Sequence, residues 1–131
     1  MKQLAELFQL TYWEIEKHIP FIESHGQPKV GELFQVKVTL GKGVPHPNTV
    51  DHHIRWISVY FQPEGEELPY QIGQFGFSAY EEPAEEGSRN SMYAHYGISI
   101  SLKTGKPGVI YATALCNIHG LSRSENEIRV S

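Results

Sequence analysis

Seven histidines and one cysteine supply the side chains best suited to holding a metal, and they are not scattered along the chain. Cys116 and His119 sit in Cys116-Asn117-Ile118-His119-Gly120, where a tight turn can aim a thiolate and an imidazole at one ion. The plainer alternative is a buried free thiol beside a capping histidine. His46 and His52 bracket the loop His46-Pro47-Asn48-Thr49-Val50-Asp51-His52. Pro47 stiffens that loop by fixing its own φ and restricting His46 to extended conformations. His18 follows Glu16-Lys17. Of the pair His52-His53, only one can face a given site on a strand, because successive side chains point to opposite faces. Periodicity does not say which. His25 and His95 read as structural or surface residues.

Four imidazoles and one thiolate would make a distinctive donor set. Zinc prefers four-coordinate tetrahedral sites, so five donors argue against it. Imidazole with one soft thiolate suits iron or copper. A square pyramid of four histidines and an axial cysteine leaves one position open for a small substrate. With Fe(II), neutral imidazoles and one thiolate, the centre carries a single net positive charge and draws a small anion locally. The lone cysteine cannot form an internal disulfide, and a structural zinc site of two or more cysteines is excluded.

These residues need a rigid frame, and the hydrophobic pattern supplies one. Phe34, Val36, Val38 and Leu40 alternate with polar residues, as in a half-buried strand. Ile54 to Phe61 is apolar at both parities, as expected of a strand covered on both faces. Tyr70 to Phe77 is weaker, broken by Gly73 and Gly76. Tyr96 to Leu102 alternates cleanly, and Val109 to Leu115 and Glu127 to Val130 complete the set. Turn signals such as Gly41-Lys42-Gly43, Pro63-Glu64-Gly65 and Gly105-Lys106-Pro107-Gly108 separate the runs. The pattern predicts an all-β sandwich. Leu4, Leu7 and Phe8 fall at helical spacing and predict a short amphipathic helix over residues 2–11. Residues 80–92 read as a solvated, glutamate-rich loop. The apparent ligands thus lie on loops or at strand ends.

A chain of 131 residues is expected to be a single domain, 1–131. Its 11 Lys+Arg against 15 Asp+Glu give a net charge of −4 with no basic block, which argues against a nucleic-acid partner. No segment approaches the ~20 apolar residues of a membrane span. Glu6 interrupts what would have to be the apolar stretch of a signal peptide, so the expected location is cytoplasmic.

Three stretches together resemble the superoxide reductases of the one-iron neelaredoxin type, related to the iron-site domain of desulfoferrodoxin. They are Glu16-Lys17-His18-Ile19-Pro20, then His46-Pro47-Asn48-Thr49 running to His52-His53-Ile54-Arg55-Trp56-Ile57, then Cys116-Asn117-Ile118-His119-Gly120-Leu121. Tyr60-Phe61-Gln62-Pro63-Glu64-Gly65 is also similar, and the likeness runs from about Trp13 to Val130. The resemblance implies an immunoglobulin-like β-sandwich holding a mononuclear non-haem iron. Its equatorial ligands would be His18, His46, His52 and His119, with Cys116 as the axial thiolate. His53 is then left as a hydrogen-bonded residue at a strand start. The implied reaction is one-electron reduction of superoxide to hydrogen peroxide. Glu16 corresponds to the carboxylate that takes the open position in the oxidised state. Lys17 corresponds to the lysine that steers the anion and orients a proton-donating water. A homo-oligomer, often a tetramer, is also implied.

The sequence departs from the family in two places. Ser122 stands where the family commonly has tryptophan, which is expected to open the thiolate region to solvent or to shift its redox potential. Cys116 being the only cysteine, a four-cysteine second iron domain is absent, and electrons are expected from a separate rubredoxin-like protein. A blue-copper electron-transfer protein would need a methionine beyond the last histidine, and Met1 and Met92 both precede Cys116. A further alternative is a non-catalytic iron-binding domain of the same fold.

Overall fold

The computed structural model describes residues 1–8, 19–25, 28–43, 45–80, 92 and 94–131. Alternation decides the first strands. Phe34, Val36 and Val38 turn inward while Gln35 and Lys37 turn to solvent, which makes a one-faced strand of Phe34–Thr39 (β2). It pairs antiparallel with Phe21–His25 (β1) on one side and Gly97–Leu102 (β5) on the other, giving the order β1-β2-β5. The second sheet is built on Ile54–Pro63 (β3), where Ile57 and Val59 are fully buried and Ser58 is nearly so. Tyr70–Gly76 (β4) pairs with β3 on one edge. Gly108–Cys116 (β6) pairs on the other, followed by Gly120–Ile128 (β7), giving β4-β3-β6-β7.

The inner faces of the two sheets share one core. Val36 and Val38 belong to it with Ile57, Val59, Ile110, Ala112 and Ala114, all at 0% exposure. Each such Val or Ile contributes roughly 1.5–3 kcal/mol relative to an exposed side chain. The result is the expected immunoglobulin-like sandwich. Side chains close one seam between the sheets: Ser124 Oγ donates to the Pro20 carbonyl at 2.5 Å, and Asn126 Nδ2 donates to the Ile22 carbonyl at 3.0 Å.

Three expectations need correction or limits. The N-terminal helix is, within the described residues, one 3-10 turn at Leu4–Leu7 that buries nothing; Leu4 and Leu7 are both exposed. The last strand begins at Gly120 and ends at Ile128, and its inward positions Ser122, Ser124 and Asn126 lack the apolar signal. Strand β1 was also not anticipated, because it is a short edge strand with Ile22 as its buried residue. Of the loop expected at 80–92, residues 81–91 lie outside the described residues.

The register brings the chemistry together. Ile54 at the start of β3 pairs with Cys116 at the end of β6, and Cys116 pairs with Gly120 at the start of β7. The stretch ending at His52-His53 and the Cys116-to-His119 turn therefore meet at one end of the sheet. A register shift between Ile54 and Trp56 puts a bulge at the same end, a common device for aiming side chains.

Candidate metal centre

Each loop at that end is shaped by its own hydrogen bonds. Thr49 Oγ1 accepts the N–H of His52 at 3.0 Å, and the Thr49 N–H donates to the His52 carbonyl at 2.9 Å. This closes a tight turn that presents His52. His53 points the other way and is buried. Its Nδ1 lies 3.0 Å from both the Thr49 and Val50 carbonyl oxygens, and its ring stacks on Tyr80 at 3.9 Å. It has the hydrogen-bonded role expected of it. His46 Nδ1 lies 2.6 Å from the Pro47 carbonyl oxygen. A carbonyl can only accept, so Nδ1 carries the proton and Nε2 the metal-binding lone pair.

In the second loop the His119 N–H donates to Cys116 Sγ at 3.4 Å, and His119 Nδ1 lies 3.6 Å from the same sulfur. Gly120, at φ 79°, turns the chain back into β7. Asn117 ties the loops together: its Oδ1 accepts the His53 N–H at 2.8 Å, its Nδ2 donates to the Asp51 carbonyl at 2.9 Å, and its N–H donates to the His53 carbonyl at 3.1 Å.

Ligand atoms of His46, His52 and Cys116 consequently lie within 4.8 Å of one another. Opposite donors around one ion are about 4.4 Å apart at ordinary N–metal and S–metal distances, so these three need to draw in by only a few tenths of an ångström to share an ion. The rings of His46 and His52 are 4.8 Å apart, and the His119 ring is 4.9 Å from that of His52. Two imidazoles and a thiolate, with a third imidazole alongside, fit a transition metal of borderline softness. Glu16, Lys17 and His18 lie outside the described residues. His25 and His95 are exposed and stand apart from this group. Ser122 is buried, and Cys116 is only 3% exposed, so serine in place of tryptophan does not open the thiolate to solvent.

Tyr96, Asn48, Thr49 and Asn117 shape the site and were not anticipated as functional. Thr49 lies between two candidate ligands, where a hydroxyl-capped turn is a readable local signal. Asn117 and Tyr96 act across 64 and 42 residues of chain, which no local pattern records. Burial pushes the Tyr96 hydroxyl up to about 12, helped by the nearby Tyr80 and Cys116 and opposed by the Ile54 N–H. Tyr80 is raised by burial too, against the Arg55 charge.

The desulfoferrodoxin family model matches residues 11–125. The chain belongs to the desulfoferrodoxin family. Among proteins of this family, neelaredoxin from Megalodesulfovibrio gigas is 40% identical over 126 residues, covering 96% of this chain and 97% of that protein. Superoxide reductase from Pyrococcus furiosus is 43% identical over 122 residues, covering 93% and 96%. The solved structure of superoxide reductase (neelaredoxin) from Archaeoglobus fulgidus in the reduced form superposes with a TM-score of 0.79 at 40% identity, covering 93% of this chain and 98% of that one. The stretch matched by the family model, residues 11–125, includes the positions of His46, His52, Cys116 and His119.

Proposed function

We propose that this desulfoferrodoxin-family chain is a superoxide reductase: superoxide takes up one electron and two protons and leaves as hydrogen peroxide. The observation that carries the reading is the meeting of His46, His52 and Cys116 within 4.8 Å, with His119 beside them. Residues 1–131 act as one domain holding one mononuclear iron through His18, His46, His52, His119 and the Cys116 thiolate. Iron bound there supplies the electron by cycling between the ferrous and ferric states.

The protein's own groups do the rest. The Cys116 sulfur, shielded from water and accepting an N–H from His119, would serve the metal as its one sulfur ligand. The Lys17 ammonium draws the anion in and orients a proton-donating water. The Glu16 carboxylate serves as an additional anionic ligand in the oxidised state, offsetting the charge gained on oxidation. A rubredoxin-like donor restores the electron, since the 131 residues hold a single cysteine and no four-cysteine centre. The functional unit is a homo-oligomer, a tetramer, working in the cytoplasm. No helix of the described residues is long and apolar enough to cross a membrane.

Metal analysis and optical spectroscopy test the reading. The purified protein binds one iron per chain and, once oxidised, shows a thiolate-to-ferric charge-transfer band that is lost in Cys116→Ser. Copper in place of iron, or a band that survives the substitution, contradicts it.

A further inference from the structure

Tyr96 is neither a candidate ligand nor a source of protons, yet its hydroxyl joins the two halves of the centre. The residue is 4% exposed and lies just before β5, in the sheet opposite β3 and β6. Its hydroxyl donates to Asn48 Oδ1 at 2.6 Å, with the Pro47 carbonyl oxygen 3.3 Å away. It accepts the backbone N–H of Ile54 at 3.2 Å. Pro47 and Asn48 directly follow His46, whereas Ile54 is the register partner of Cys116. One oxygen atom thus couples the start of the histidine loop to the strand end that faces the thiolate.

The rest of the side chain is held just as firmly. The Tyr96 ring meets the His46 ring edge-on at 5.7 Å and is backed by Phe77 at 5.1 Å. Asn48 is gripped at its other end as well, because its Nδ2 donates to the Ala94 carbonyl at 2.5 Å. Its amide cannot rotate without breaking both bonds. A hydroxyl in this position acts as a fixed strut, and groups behind metal ligands commonly orient them in this way.

We propose that Tyr96 is a positioning residue for the metal centre: through Asn48 and Ile54, its hydroxyl fixes His46 relative to Cys116. The inference rests on the iron reading of the site. Full-length Tyr96→Phe, loaded with Fe(II), is compared with wild type and with Tyr60→Phe, whose lost hydroxyl lies 3.5 Å from that of Thr113. In Tyr96→Phe, Fe(II) affinity measured by chelator competition falls about ten- to a hundred-fold, and the rhombicity of the ferric EPR signal changes. Tyr60→Phe keeps the wild-type values. Asn48→Ala reproduces the loss, and the Tyr96→Phe/Asn48→Ala double variant is no worse than the more severe single one. If Tyr96→Phe lowers only the unfolding temperature of the metal-free protein, with affinity and EPR signal unchanged, the proposal is overturned. Fully additive losses in the double variant overturn it too. A wild-type protein that binds no iron withdraws the iron reading, and this inference with it.

Discussion

Cys116 and Lys17 divide the work at the scale of single residues. Cys116 is buried and its sulfur accepts the His119 N–H, so it is placed to hold a metal and not to meet a substrate. Lys17 has the opposite task in the proposed reaction, because superoxide is an anion and the protein as a whole carries −4. Replacing Lys17 by alanine is expected to slow the second-order reaction with superoxide about tenfold and to flatten its ionic-strength dependence, with iron content unchanged. Stopped-flow or pulse-generated superoxide at several salt concentrations measures both; an unchanged rate and slope removes Lys17 from the mechanism. Residue type made the donors legible in sequence, since few side chains besides histidine and cysteine bind a soft metal. The supporting residues were not legible. Asn117 and Tyr96 have ordinary structural readings until the fold brings Asp51, His53, Asn48 and Ile54 to them.

Two glycines of β6 and β7 separate strand packing from site geometry at the scale of the elements. A methyl group on Gly108 would overlap the Gln62 carbonyl oxygen and press the Phe61 ring at 2.8 Å, so β3 and β6 would have to part. Gly120 has open space around it but a φ of 79°, which any other residue adopts only under strain. Gly120→Ala is expected to cost about 1 kcal/mol and to weaken iron retention. Gly108→Ala costs about 3 kcal/mol and leaves the iron bound per folded chain unchanged, because it pairs with Pro63 at the far end of the sheet. Denaturant unfolding with iron analysis checks the contrast, and equal effects on stability and iron would contradict it. Tyr96 adds a pH dependence. Its folded value of about 12 lies above the usual 10, so its contribution to stability is intact below pH 10 and lost as the pH rises toward 12. The unfolding temperature is expected to fall over that window, and less steeply in Tyr96→Phe; parallel curves would contradict the assignment. Strands with alternating or continuous apolar residues were readable, β2 and β3 above all. The polar inward face of β7 was not, because Ser124 and Asn126 stabilise it by hydrogen bonds to Pro20, just before β1, and to Ile22 within it, and not by hydrophobic burial.

The described residues form a sandwich with His46, His52, Cys116 and His119 gathered at one end, and the paired strands keep that end in register. Antiparallel pairing lets two separate stretches of sequence converge there: the loop before β3 and the turn that joins β6 to β7. Composition and charge argue against a nucleic-acid partner but could not locate this end, which depends on strand order. The small positive charge of the proposed ferrous four-histidine, one-thiolate centre would oppose the overall −4 only locally, so attraction of an anion there would be short-ranged and sensitive to salt. The central claim is that superoxide is reduced there and not dismutated. The most direct measurement exposes the fully reduced protein to pulse-generated superoxide and follows hydrogen peroxide and dioxygen together. One peroxide per superoxide, with no dioxygen released while ferrous protein remains, is the expected result. Release of one dioxygen for every two superoxide ions consumed, or no reaction beyond the spontaneous rate, would contradict it.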